Sequence, residues 1–149
     1  MKLTNGFDIS ASALTAQRFR MDVISSNIAN ADTTRARTVN GRWVPYQRKV
    51  VVMEPNRPTS FSQLFQNALN GQAGEGVRVS RVIEDDSPFR LVYNPTHPDA
   101  DENGYVQMPN VDILKEMVDL ISATRSYEAN VTALNATKAM ISKALEIGK

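Results

Sequence analysis

The stretch from residue 110 to residue 147 contains neither glycine nor proline, and its apolar side chains recur at alternating intervals of four and three. This interval is the 3.5-residue repeat of a coiled-coil seam. A helix of this length would extend roughly 55 Å, which is more than a small globular domain normally accommodates. We therefore predict that it packs lengthwise against other helices. The predicted seam consists of Ile113, Met117, Leu120, Tyr127, Val131, Leu134, Ile141 and Leu145.

The same helix carries a second apolar stripe beside the seam, rich in small residues that allow close helix approach. Its members are Ala129, Ala133, Ala136, Met140, Ala144 and Ile147. Asn110 is the predicted N-cap, and Gly148 follows the last periodic residue. Two stripes predict two contact surfaces. The alternative is a buried core helix of a monomeric bundle, but the chain has few other helices to surround it.

The N-terminal stretch is the natural partner of this helix. Residues 7–39 also lack glycine and proline, and we predict a helix from Phe7 to Ala31. Asn27, Asn30 and Thr33 favour side-chain bonding to the local backbone, so the helix should end near them. The seam residues of this helix are Phe7, Leu14, Met21 and Ile28.

The composition of the middle of the chain differs from that of its ends. All seven prolines and five of the seven glycines lie there, which excludes a long helix. Short β-like runs occur at 49–53, 77–83 and 89–93, and 59–70 could form a short helix. The sequence thus predicts an α+β fold with three parts. These are an N-terminal helix (1–31), a β-rich insertion (32–109) and a C-terminal helix (110–149).

Charge is balanced overall, at a formal net +1, but polarised within the insertion. Residues 35–58 hold six positive and one negative side chain, whereas residues 84–102 hold six negative and one positive. This polarity suits either contacts between copies or pairing within one chain. The chain has no cysteine, and its start lacks the apolar core of a cleaved secretory signal.

Motifs for catalysis or ligand binding are weak, so we predict no enzyme, cofactor, metal site or small-molecule substrate. Asp99 to Gly104 matches the opening of a calcium loop, but position twelve is Asn110 rather than glutamate, so we predict a turn. His97 could serve a hydrolase only with partners that the sequence does not reveal. The main alternative function is a small nucleic-acid-binding domain that uses the basic stretch Arg35–Lys49.

Two segments carry a family resemblance. Residues 26–34, Ser-Asn-Ile-Ala-Asn-Ala-Asp-Thr-Thr, are similar to the N-terminal signature of bacterial flagellar rod and hook proteins, and residues 126–135 resemble the matching C-terminal helix. Residues 77–79, 87–101 and 104–111 are similar to the proximal-rod members of that family. The signature residues are Ser26, Asn27, Ile28, Ala29, Asn30, Tyr127, Glu128 and Asn130.

The resemblance implies a structural subunit of the flagellar basal-body rod, assembling helically into an axial drive shaft and export channel that spans the periplasm. It implies export through the flagellar type III apparatus without a cleaved signal. The implied partners are other copies, related rod proteins, the MS ring and the export gate, with no nucleic acid or small molecule. Phe65 and Leu69 resemble an export-gate recognition pattern, although a short amphipathic helix would show the same spacing.

Overall fold

A computed structural model of the chain describes residues 5–39, 41–56, 62, 65 and 76–147. Two long helices flank a strand-containing middle, which confirms the α+β prediction at this level. Helix α1 spans Asn5–Ala29 and helix α2 spans Ile113–Ile147. The strands are β1 (Arg37–Val39), β2 (Arg42–Val44), β3 (Lys49–Pro55), β4 (Val77–Glu84), β5 (Arg90–Tyr93) and β6 (Tyr105–Met108).

Helix α1 ends close to where its sequence predicts, and Asn30 provides the reason. The Asn30 side-chain amide donates to the Ser26 carbonyl oxygen at 2.8 Å, and the Asn30 carbonyl oxygen accepts from the Thr33 N–H group. The first bond adds to the one that the Ser26 carbonyl oxygen already accepts from Asn30 N–H, and the second pairs a carbonyl oxygen beyond the last helical residue. The prediction that Asn30 and Thr33 terminate the helix is therefore confirmed.

Helix α2 begins at a different cap from the predicted one. The Asp112 carboxylate accepts from the N–H groups of Leu114 and Lys115 at 3.0 and 3.4 Å, and the Asp112 carbonyl oxygen accepts from Glu116 N–H. Asp112 is thus the N-cap, and its charge also complements the helix dipole. The prediction of Asn110 in this role is wrong because its side chain bonds to segments far along the chain.

The strands form three two-stranded sheets, β1–β2, β3–β4 and β5–β6. The runs predicted at 49–53, 77–83 and 89–93 are confirmed as β3, β4 and β5, whereas the other three strands were not predicted. Gly41 lies in the short turn between β1 and β2, and Gly104 lies in a turn that ends the longer connection between β5 and β6. Both have φ of 78°, a conformation that favours glycine. The turn predicted at Asn103–Gly104 is confirmed.

Contacts divide the chain into two compact units, and each unit takes part of both helices. The terminal unit comprises residues 1–20, 52–81 and 122–149, and the clasp unit comprises residues 21–51 and 82–121. The clasp unit contains a buried apolar cluster of Ala31, Tyr46 and Val111, near the end of α1 and the start of α2. Among the described residues, no helix combines the length and apolarity that crossing a membrane requires.

Candidate assembly site

The side chain of Asn27 is almost completely buried and makes four hydrogen bonds. Its NH₂ group donates to the Lys49 carbonyl oxygen at 2.8 Å and to the Glu116 carboxylate at 3.0 Å. Its oxygen accepts from Lys49 N–H at 2.9 Å and from the Tyr46 hydroxyl at 3.0 Å. These bonds use both donors and both acceptor lone pairs of the amide. Because Asn27 bonds to both the N–H and the carbonyl oxygen of Lys49, it pairs with the first residue of β3 in the way that a neighbouring strand would. Its predicted role, local bonding that ends the helix, is wrong.

Glu116 on α2 is fully buried and is neutralised by Arg48. The Arg48 guanidinium donates to the Glu116 carboxylate at 2.7 Å, and it also lies 3.4 Å from the Asp85 carboxylate and 3.7 Å from that of Asp119. Partial burial alone would lower the pKa of Arg48, but the hydrogen bond and charge attraction to Glu116, with Asp85 adding, raise it. A buried carboxylate is tolerated only when paired in this way.

Asn110 joins the segment before α2 to two strand ends. Its side-chain oxygen accepts from Arg48 N–H at 2.8 Å, and its NH₂ group donates to the carbonyl oxygens of Asp85 and Ser87 at 2.9 and 3.1 Å. We call the linked set Asn27, Tyr46, Arg48, Asn110 and Glu116 the polar clasp. Within the clasp unit, the polar clasp fixes the positions of α1 and α2 relative to the start of β3 and the end of β4.

The two oppositely charged stretches of the insertion pair within the chain. Arg35 donates to the Asp99 carboxylate at 2.7 Å, and Thr34 donates to the same carboxylate at 2.9 Å. Arg37 lies 3.1 Å from the Glu84 carboxylate. The hydrogen bond from Arg35, helped by Thr34 and the Arg35 charge, lowers the pKa of Asp99. Of the two interpretations of the charge pattern, the structure supports internal pairing.

This pairing weakens the nucleic-acid alternative. Arg35, Arg37 and Arg48 all bind carboxylates, and the Lys49 ammonium lies 5.7 Å from the centre of the Tyr46 ring. A phosphate-binding surface needs cationic groups that project into solvent unpaired. Apart from the exposed Arg42, the cationic side chains of the basic stretch instead serve the internal structure of the clasp unit.

The remaining candidate chemical groups lie in turns. His97 accepts a hydrogen bond from Asp99 N–H through Nδ1. The Asp85 carboxylate accepts from both the hydroxyl and the N–H group of Ser87, and these bonds, with a smaller contribution from Arg48, lower the pKa of Asp85. The Asp85–Ser87 arrangement is an Asx turn, which is a local structural feature.

One face of the first turns of α2 exposes large apolar side chains. Leu114 is 76% exposed, Val118 67% and Ile121 60%. They recur at helical spacing and lie on the side opposite Glu116 and Ala123, which are both fully buried. We call these three residues the outer stripe. The apolar spacing in the sequence predicted the contact face of this helix at Ile113, Met117 and Leu120 and did not predict the outer stripe.

The predicted seam residues fall into two groups by burial, and no contact among the described residues establishes a coiled coil. Along α1, Phe7 is exposed, whereas Leu14, Met21 and Ile28 are half-buried. The exposed members on α2 are Ile113, Met117 and Leu145, and the half-buried members are Leu120, Tyr127, Val131, Leu134 and Ile141. In the second stripe, Ala129, Ala133, Ala136, Met140 and Ala144 are all exposed.

Comparison with known proteins identifies the family. A family model described as flagella basal body rod protein matches residues 7–37, and one described as flagellar basal body rod FlgEFG protein C-terminal matches residues 102–147. Flagellar basal-body rod protein FlgC of Bacillus subtilis (strain 168) is 63% identical over 151 residues and covers 100% of both chains. The chain belongs to the flagellar basal-body rod protein family.

Other relatives place the chain with the FlgC-type, proximal-rod members of that family. The protein of the same name from Borreliella burgdorferi is 44% identical, covering 99% of this chain and 98% of its own. That of Salmonella typhimurium is 46% identical and covers 100% of both. The resemblance found in the sequence is confirmed.

The rod-family signature residues have different structural roles. Asn27 belongs to the polar clasp and Asn30 ends α1, whereas Glu128 pairs with Arg125 on the surface at 3.1 Å. The Asn130 side chain donates to the Ser126 carbonyl oxygen at 2.8 Å, one turn earlier. Ser26, Ile28 and Tyr127 are half-buried and Ala29 is exposed.

The sequence analysis missed Glu116 and Arg48, the charged pair of the clasp. A signal was present, because Glu116 lies three residues after Ile113, one helical turn along the predicted seam. Of the two residues proposed for export-gate recognition, Phe65 is exposed, and Leu69 lies outside the described residues.

Proposed function

We propose that this rod-family protein assembles helically, with other copies and with related rod proteins, through its terminal helices. The assembly forms a section of a periplasm-spanning drive shaft with an export channel. The outer stripe of α2 is the observation that carries this proposal. Its three large apolar side chains are more than half exposed in the isolated chain.

Burial energetics explain why the outer stripe favours assembly. Covering a side chain such as Leu114, Val118 or Ile121 contributes about 1.5–3 kcal/mol each. Apolar side chains grouped on one face commonly mark protein interfaces. The exposed second stripe supplies small residues for a second close helix contact further along α2. A helix with two such faces suits a lattice in which every subunit has several neighbours.

We further propose that different segments of the chain have different roles in assembly. The helical segments 1–31 and 110–149 build the assembly, with the seam residues named above at helix contacts, and the insertion 32–109 sets how the helices are held. The polar clasp supports this division because Asn27 and Glu116, on the two helices, are bonded to each other and to the insertion. Fixed helix register would make the shaft stiff against torque.

The proposed partners include the MS ring at the base of the rod and the flagellar export gate. The chain would reach its site unfolded, through the type III apparatus and without removal of a leader. Phe65 and Leu69 are the proposed gate-recognition pair. The exposure of Phe65 supports a role in which another protein contacts it.

Leu114→Asp tests helical assembly directly. Leu114 is exposed and lies in the first turn of α2, where a negative charge is favourable, so the isolated chain should keep its stability within about 0.5 kcal/mol. A charge on the outer stripe should nevertheless prevent subunits from packing. We expect normal secretion of the variant, no incorporation into purified basal bodies and loss of motility.

Ser142→Asp is the matched control, since it adds the same charge at an exposed site of the same helix outside the outer stripe and the predicted seam. It should assemble normally. If Leu114→Asp were incorporated as well as the unmodified chain, the outer stripe would not be an assembly surface.

A further inference from the structure

The β5–β6 hairpin carries aromatic residues on a face that the rest of the clasp unit leaves uncovered. Leu91 and Tyr93 alternate along β5, and Tyr105 lies directly opposite Tyr93 on β6. Their exposed fractions are 62%, 65% and 45%, whereas Val106, on the opposite face, is 2% exposed. The two tyrosine rings meet edge to face with centroids 5.4 Å apart. We call Leu91, Tyr93 and Tyr105 the aromatic patch.

Acidic side chains border the aromatic patch. Asp101 and Glu102 lie in the turn that leads into β6, and Asp101 N–H donates to the Tyr105 carbonyl oxygen at 2.9 Å. Both side chains are exposed, and neither forms an ion pair with the part of the chain that the structure describes. The patch therefore combines an apolar surface with unneutralised negative charge.

The β1–β2 hairpin has the complementary composition. Trp43 is 56% exposed and faces Thr38 across the hairpin, and Arg42 lies beside the Gly41 turn. Arg42 is exposed and forms no ion pair among the described residues, unlike Arg35 and Arg37. Because successive side chains of a strand point to opposite faces, the indole ring lies on one face of this hairpin, and the long side chain of Arg42 starts from the other face at the end beside the Gly41 turn, where it can extend around that end.

We propose that the β1–β2 hairpin of one copy docks on the aromatic patch of a second copy in the assembled rod. Trp43 packs on Tyr93 and Leu91, and Arg42 reaches the carboxylates of Asp101 and Glu102. Charge complementarity selects this occupant, because the chain itself provides the matching basic and aromatic surface. The inference rests on the proposed helical assembly and adds one of its contacts.

The symmetry of the contact agrees with a rod. Two different surfaces of one subunit meet, so the contact is heterologous, and repeated heterologous contacts build open helical assemblies. A stable isolated dimer buries roughly 1,200 Å² or more through about 20–30 residues on each side, whereas β1 and β2 have three residues each and β5 and β6 four residues each. The contact should therefore form only where helix packing already holds the subunits together.

Thiol cross-linking tests this contact, because the chain contains no cysteine. Trp43→Cys and Tyr93→Cys chains with different tags are produced together in cells lacking the unmodified chain, and purified basal bodies are treated with a short bismaleimide cross-linker. A disulfide would require Cα atoms roughly 4.4–6.8 Å apart, closer than two packed aromatic side chains hold their backbones, whereas the cross-linker spans the larger separation and should give a linked dimer bearing both tags. The control replaces Tyr93→Cys by Ser80→Cys, an exposed β4 site outside the patch, and should give no linked dimer.

Three outcomes would overturn the proposal. They are incorporation of both chains without a linked dimer, linkage to a different rod protein instead, and equal linkage of the Ser80 control. In each case the chain would still be part of the rod, so the proposed function would stand. If the unmodified chain itself were missing from basal bodies, the proposed function would fail.

Charge exchange provides a second test that applies even if the cysteine variants do not assemble. Arg42→Glu and Glu102→Arg should each lower rod incorporation about tenfold, because each places like charges together. Combining both in one chain should restore part of the incorporation, since the exchanged pair at positions 42 and 102 regains opposite charges while Asp101 stays acidic. Failure of the double variant to recover would overturn the proposal.

Discussion

Helix α1 buries an amide side chain in each of the two units, and the two amides differ in how they are satisfied. Asn27, in the clasp unit, uses all of its donors and acceptors. Gln17, in the terminal unit, has a buried side-chain oxygen that accepts no hydrogen bond from the described residues. An unsatisfied buried acceptor costs about 1–3 kcal/mol. Among the described residues, Asn27 is thus fully hydrogen-bonded in the clasp unit, whereas the terminal unit contains a buried polar atom without a partner.

The hydrogen bonds of the two units differ in range as well. Those of the clasp connect residues on both helices and three strand ends. In the terminal unit, the side chains of Asn130, Thr132 and Thr137 on α2 bond to carbonyl oxygens one turn earlier on the same helix. Local bonds do not tie α2 to its surroundings, although one bond, from Val77 N–H to the Ser12 hydroxyl, joins α1 to β4 in this unit. We therefore expect the clasp unit to be the more stable part of the isolated chain.

The largest expected effect comes from Leu134→Asp, in the terminal unit. Leu134 is half-buried in the isolated chain and belongs to the predicted seam. An unpaired charge in a packed seam costs several kcal/mol, so rod incorporation and motility should be lost while secretion continues. Basal-body composition and swimming assays measure this, with Ser142→Asp as the unaffected control. Normal incorporation of Leu134→Asp would show that the terminal unit does not contribute its seam to assembly.

The second prediction compares the two buried amides. Asn27→Leu removes the partner of Lys49 N–H and the second hydrogen bond of the Glu116 carboxylate, which keeps only Arg48, and should lower the free energy of unfolding by about 3 kcal/mol. Gln17→Leu removes an unsatisfied oxygen and should raise it by about 1 kcal/mol. Urea unfolding of the purified chains measures both. Equal losses in the free energy of unfolding for the two variants would contradict the difference in hydrogen bonding that we describe between the two units.

A smaller effect is expected at the bond that joins α1 to β4 in the terminal unit. Ser12 donates to the Ile9 carbonyl oxygen at 2.7 Å and accepts from Val77 N–H at 3.1 Å. Ser12→Ala should cost about 1 kcal/mol. Gly76→Ala should act similarly, because its new Cβ would lie 2.6 Å from the Ser12 hydroxyl oxygen. Hydrogen exchange at Val77 should rise in both variants and stay unchanged in Ser142→Asp.

The smallest effect is acid sensitivity of the clasp unit. The pKa values of Asp85 and Asp99 lie below the ordinary value of 3.8, so the folded state binds fewer protons than the unfolded chain. Their stabilisation is complete above that pH and is lost as pH falls through the lowered pKa values. Melting temperature should therefore decline below pH 4. Asp85→Asn with Asp99→Asn should flatten that decline, and an unchanged slope would contradict the assignment.

Local pattern predicted the regular elements of this protein well. Both helices and strands β3, β4 and β5 follow from side-chain period and from where glycine and proline are absent. Strands β1 and β2 have only three residues each and no alternation long enough to detect. The N-cap prediction failed because Asn110 and Asp112 have similar capping propensity. The distant groups that engage Asn110 decided between them.

The candidate site was predicted less completely than the fold. The family signature drew attention to Asn27 and Asn30, but the signature could not distinguish the long-range role of Asn27 from the local role of Asn30. The sequence showed that the insertion has one basic and one acidic stretch. It did not decide whether these stretches pair between copies or within one chain. The contact of Arg35 with Asp99, across 64 positions of chain, resolves that choice.

The sequence by itself determined the two helices, the β-rich middle and the membership of the rod family, because each depends on the order of neighbouring residues. Only the tertiary structure decided that Glu116 is buried against Arg48 and Asn27 while Leu114 faces outward. The physical reason is that burial and ion pairing depend on which distant segments meet. The spacing of apolar residues predicts that a helix has apolar faces, but it does not predict which of those faces the rest of the same chain covers.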